Sequence, residues 1–77
     1  MDKHETWSRL EVLLTSALEA EQHHLPAQDT ETVREYIENR EYGLAYEHLS
    51  DTLVAKRVLV TEKTNLALQT AATLMNL

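Results

Sequence analysis

The chain has no cysteine, one glycine and one proline in 77 residues. Without cysteine there is no disulfide, and nothing suggests an oxidising compartment. A structural zinc would be left with histidine and carboxylate ligands alone, an uncommon set. A β-rich domain of this length needs several tight turns drawn from Gly, Pro and Asn-Gly pairs, so their scarcity points to helices. No apolar run approaches the roughly 20 residues of a membrane helix. The opening Met-Asp-Lys-His-Glu is too polar for a signal peptide. Positive charge is also scarce: seven Lys and Arg face thirteen Asp and Glu, a net charge of −6. An acidic domain is repelled by DNA, RNA and anionic membranes, which argues against direct binding to any of them. The expectation is one cytoplasmic all-α domain spanning residues 1–77. A chain this short buries little more than half of its unfolded surface, so helix packing or a partner must supply its stability.

What is present is helical periodicity. Trp7, Leu10, Leu14, Ala17 and Leu18 recur at three- and four-residue spacing, which predicts a first helix over about 5–21, with Val12 and Leu13 broadening its apolar face. Pro26 interrupts the next stretch, and Gln22 to Gln28 reads as a loop. Asp29 or Thr30 can cap a second helix that ends at Asn39 or Arg40, with Val33, Tyr36, Ile37 and the stem of Arg40 on its apolar face. A third helix runs from about 41–43 to 56, with Tyr42, Ala45, Leu49, Thr52 and Leu53 inward. Gly43 in its first turn would leave room for the preceding helix to pass close, which predicts a tight αα-hairpin. Val58-Leu59-Val60 is a short apolar connector that would plug the end of the bundle. Thr61 is a good N-cap for a fourth helix over about 62–76, carrying Leu66, Ala67, Thr70, Ala71, Leu74 and Met75. That helix is the least charged segment, so it belongs inside the bundle or in an interface. The fold class is a small compact bundle of about four helices with short connections.

Chemistry is harder to find. No serine lies in a nucleophile elbow or beside an identifiable base. There is no His-Glu-x-x-His pattern, no phosphate-cradling glycine loop and no EF-hand loop. The adjacent His23 and His24 point in different directions and make a poor metal site. The carboxylates lie on helix surfaces rather than in a pocket that would shift their pKa. The sequence therefore predicts no enzyme, no metal and no cofactor. A helix-turn-helix reader also fails, because the third helix offers no Arg, Asn or Gln before Lys56 to reach bases or phosphates.

Charge is concentrated instead. Residues 29–51 hold Asp29, Glu31, Glu35, Glu38, Glu41, Glu47 and Asp51 against only Arg34 and Arg40. Glu31, Glu35 and Glu38 share one helix face. Such a face is either the solvated outer side of an amphipathic helix or a surface for a basic partner, whose association it would accelerate. Tyr42 and Tyr46, one turn apart beside these carboxylates, are core residues or aromatic anchors.

The stretch Glu41-Tyr42-Gly43-Leu44-Ala45-Tyr46-Glu47-His48-Leu49 resembles the central motif of the MafI-like immunity proteins, small bacterial partners of secreted polymorphic toxins. The preceding Val33-Arg34-Glu35-Tyr36-Ile37-Glu38 and the tail Leu74-Met75-Asn76-Leu77 extend the likeness over residues 33–77, with Asn76 where the family pattern has glycine. The resemblance implies an immunity protein. Its partner would be the cognate C-terminal domain of a secreted or contact-dependent toxin, many of which are nucleases with basic clefts. An acidic helical surface complements such a cleft, so the expected partner-binding residues are Glu31, Glu35, Glu38, Tyr46, Glu47 and Asp51. The alternative is a helical adaptor or homodimer that uses the apolar fourth helix as its interface.

Overall fold

Leu10, Leu14, Ala17 and Leu18 lie on one stripe of a helix and are all buried. That stripe is the spine on which the rest of the chain packs. The computed structural model describes residues 3–77, and these form four α-helices: α1 (Lys3–Glu21), α2 (Ala27–Glu38), α3 (Tyr42–Ala55) and α4 (Glu62–Leu74). A single 3-10 turn, Gln22–His24, follows α1. No strand occurs among the described residues. The core joins the α1 stripe to Val33 and Ile37 of α2, to Tyr42, Ala45, Leu49 and Leu53 of α3, and to Ala71 of α4. α1 packs most extensively on α4, and α2 on α3, while α3 meets α4 at few points.

The start of α2 differs from expectation. Asp29 and Thr30 do not cap it. The helix begins at Ala27, with Pro26 at the N-cap and Leu25 extended before it. The Pro26 carbonyl accepts from the Asp29 and Thr30 N–H groups at 3.0 and 3.1 Å. Proline pre-sets the backbone for helix entry and has no N–H to leave unsatisfied, so it starts the helix as readily as it would break one. Thr30 is buried instead, and its Oγ1 has no hydrogen-bond partner among the described residues.

Three helices end in the same way. After α2, Arg40 donates its N–H to the Ile37 carbonyl and Glu41 donates to Tyr36 (3.0 and 2.8 Å). After α3, Arg57 donates to Val54 and Val58 to Leu53 (both 3.0 Å), and after α4, Asn76 donates to Thr73 and Leu77 to Ala72 (3.1 and 2.9 Å). Each pair is a Schellman motif, whose turning residue must be left-handed. Arg40, Arg57 and Asn76 take that conformation, with φ of 59°, 54° and 60°. Glycine usually sits there, and each arginine costs roughly 1–2 kcal/mol in its place. The only glycine is elsewhere. Gly43 lies exposed in the first turn of α3 with no positive φ, and a Cβ there would meet nothing within 4 Å. It does not make room for α2. The hairpin is tight because Asn39, Arg40 and Glu41 are its whole connection. Arg40 does not lie along the α2 face as expected; it leaves the helix and sets its guanidinium 5.2 Å from the centre of the Trp7 ring.

The apolar assignments need three further corrections. Val12, Leu59 and Leu66 are 64, 95 and 55 % exposed. Val58 and Val60 pack against the core as a plug, but Leu59 between them points outward, as alternation in an extended segment requires. α4 is an outer helix with one flank on α1, and Leu66 stands exposed at the edge of that contact.

Candidate functional site

Among the described residues, Glu21 and Asp29 each bring a carboxyl group to a contact between helices. Glu21, at the end of α1, is 2 % exposed. Its Oε2 accepts from the Thr64 hydroxyl at 2.7 Å and faces the Thr61 N–H at 3.4 Å. Thr61 caps α4 by accepting from the Thr64 N–H at 3.1 Å. In an ordinary capping box, a Glu three residues after the cap reaches back to the cap N–H. Here that position is Thr64, and the carboxyl group comes from another helix. Asp29 is the second. Its Oδ1 lies 2.9 Å from Nε2 of His48, joining α2 to α3, with the Tyr36 ring packed edge-on at 6.3 Å from the His48 ring.

The five expected carboxyl contacts behave differently. Glu31, Glu35 and Glu38 are exposed along α2, and with Gln28, Thr32 and Arg34 they line a shallow depression. Arg34 reaches away from them to Gln22 Oε1 at 3.4 Å. Glu47 and Asp51 are exposed on the outward side of α3. None of these five makes a hydrogen bond or ion pair among the described residues. They form two rows on adjacent helices, Glu31, Glu35 and Glu38 on α2 and Glu47 and Asp51 on α3. Tyr46 belongs to neither row. It is half-buried against the core and lines the open groove between α3 and α4 with Val54, Leu68 and Gln69. Tyr42 is a core residue, and its hydroxyl pKa is raised above 10.0 by burial and by the charge of Glu11, against the opposing pull of Arg40.

Among the described residues, no three His, Asp or Glu side chains are placed to hold a metal ion. The His23 and His24 ring centres lie 3.9 Å apart with the planes tilted by 43°, and both residues are exposed. The depressions in the surface are shallow and open between helices. No helix among the described residues is long and apolar enough to cross a membrane. Comparison with protein-family models, curated proteins and solved structures gives no match. Sequence reasoning missed Glu21 and the Asp29–His48 pair. Neither leaves a local signal, because each partner lies on another helix.

Proposed function

We propose that this chain is an immunity protein that binds a basic toxin domain and blocks it stoichiometrically, without catalysis. One observation carries the reading: Glu31, Glu35, Glu38, Glu47 and Asp51 hold carboxyl groups that the fold itself does not use. They project from the α2–α3 hairpin of a chain with net charge −6. Unpaired charge of one sign accelerates the approach of an oppositely charged partner and rejects like-charged ones. The likeness of residues 33–77 to the MafI-like immunity proteins names the class of partner, a toxin domain with a nuclease-like basic cleft. Tyr46 anchors the contact only if the partner also enters the α3–α4 groove, which makes it a separate test from the glutamates.

The experiment is co-purification with the toxin domain encoded beside this chain, a growth-rescue assay, and association rates at several salt concentrations. The double variant Glu35→Lys/Glu38→Lys is expected to slow association about tenfold at low salt and to flatten its salt dependence. Unchanged rates would remove the α2 row from the interface. A toxin that is folded, active and neither bound nor relieved by this chain would overturn the immunity reading for that pair.

A further inference from the structure

α3 has two faces. Tyr42, Ala45, Leu49 and Leu53 turn into the core. On the other side Leu44, Glu47, Asp51 and Val54 are all exposed. Their spacing of three, four and three residues keeps them within an arc of about 80°, and it is the spacing of a seam on which one helix receives another. Leu44 and Val54 are 47 and 78 % exposed, and among the described residues they are the only large apolar side chains that the α2–α3 hairpin leaves in solvent. Gly43, Ser50 and Ala55 flank the seam with little bulk, and His48, also beside it, is held by Asp29. A partner backbone therefore has room to come close. We propose that this seam receives one helix of the partner, a helix that carries two basic side chains between two apolar ones. This grip rests on the reading above, in which a basic toxin domain is the partner, and adds which part of that domain is held.

The charges on the seam say what covers it. Glu47 and Asp51 lie about 6 Å apart along the helix axis, between apolar ends about 15 Å apart. Glu41, exposed just before α3, adds a further negative charge at the Leu44 end. The positive groups nearby are turned elsewhere. Arg34 reaches Gln22, Arg40 stands over Trp7, and His48 meets Asp29. Lys56 and Arg57 follow the end of α3, with Arg57 in the α3–α4 groove that Val54 borders. α4 is charged only in its first turn, at Glu62 and Lys63. A second copy of this chain is a poor occupant. Paired in parallel, the seam sets Glu47 on Glu47 and Asp51 on Asp51; paired antiparallel with its apolar ends matched, it sets Glu47 on Asp51. Sliding the copies until Lys56 or Arg57 meets those carboxylates carries an apolar end of the seam past the end of the opposing α3. A basic helix meets neither obstacle. The α2 face lacks this combination, because its exposed side chains, Ala27, Gln28, Glu31, Arg34, Glu35 and Glu38, include no large apolar group. The two helices then have separate tasks. Charge on α2 draws the partner in and sets the association rate, while desolvated apolar contacts on α3 set how long the complex lasts.

The test uses the toxin domain encoded beside this chain, and measures association and dissociation rates separately at two salt concentrations, with helicity recorded for every variant. Leu44→Gln and Val54→Gln place good helix formers at exposed sites, so each should keep the fold and speed dissociation about tenfold, with the association rate and its salt dependence unchanged. Glu47→Lys/Asp51→Lys should speed dissociation more than about a hundredfold. Glu35→Lys/Glu38→Lys should act on association and leave dissociation within about twofold. The chain has no cysteine, so Ala55→Cys can carry a single photo-crosslinker beside the seam. The toxin segment it captures is expected to be a helix with two Lys or Arg between apolar residues. A toxin that is bound and neutralised, with dissociation indifferent to Leu44→Gln and Val54→Gln, overturns this inference and leaves the immunity reading in place, as does capture of a segment without that pattern. A toxin neither bound nor relieved removes both. A chain that dimerises by itself in sedimentation, and is returned to monomer by both glutamine variants, puts a second copy on the seam and equally overturns the inference.

Discussion

Asp29 and Glu21 each turn a carboxyl group inward, one in each pair of helices, and they do so under different conditions. Asp29 is partly exposed and links two helices that a three-residue turn already holds together. Glu21 is buried, and its hydrogen-bond partner lies 43 residues further along the chain. The α2–α3 hairpin is local, and its outer sides carry unused acidic groups. The α1–α4 pair is assembled from distant segments, and its outer side mixes exposed Val12 and Leu66 with exposed Glu5, Arg9, Glu11, Glu19 and Lys63. Where distant segments must find each other, one polar group is sealed inside to fix their register.

If this contrast holds, Glu21 should matter most. Glu21→Ala removes the acceptor of a buried hydroxyl and leaves a void, and should cost about 3 kcal/mol in chemical denaturation. Glu21→Gln keeps an oxygen that can accept from Thr64 and should cost less than half as much. Hydrogen exchange in the first turn of α4 should rise in both variants, and more in the alanine one. Equal losses in the two variants, or protection in α4 that does not change, would mean that apolar packing alone sets the α1–α4 register.

Asp29→Ala is the matching change in the other pair. It removes a half-exposed hydrogen bond between helices that stay tethered by their turn, so the expected loss is about 1 kcal/mol. His48→Ala should cost a similar amount, and the double variant little more than either alone, because the pair is one interaction. A loss at Asp29 as large as that at Glu21 would break the contrast.

In both pairs of helices, the sequence reveals what is local. The α1 stripe, the Thr61 cap and the short α2–α3 turn all follow from spacing within a few residues. Glu31, Glu35 and Glu38 could be placed on one face for the same reason. Glu21 could not be found, since a glutamate at a helix end reads as solvated until α4 folds back over it. Leu66 was misplaced because α4 carries no charge beyond its first turn, and periodicity then gives little sign of which side faces in. Arg40 and Arg57 offered no glycine to announce a left-handed turn. Asn76, a residue type that tolerates the left-handed turn, and the apolar Val58 and Leu77, one residue beyond the two later turns, are sequence signals that such caps left. The side of α3 that carries Tyr46 depends on how the hairpin is rotated over α1, and no local pattern reports that.

Gly43 gives the smallest effect and a sharp one. It sits in the motif that suggests a family, yet its backbone is ordinary and a Cβ there meets open space. Gly43→Ala should therefore stabilise the chain by about 0.5–1 kcal/mol, by restricting the unfolded state and favouring the helix. Urea denaturation measures that gain, and the same variant can be taken into the toxin-binding assay. A gain in stability with weaker binding would assign the glycine to close approach by a partner over the first turn of α3, beside the Glu47–Asp51 row. A gain with unchanged binding would confine that partner to the other exposed parts of the hairpin. A loss of stability would show that the start of α3 is held more tightly than its open surroundings indicate, and would move the hairpin toward the constrained half of the comparison.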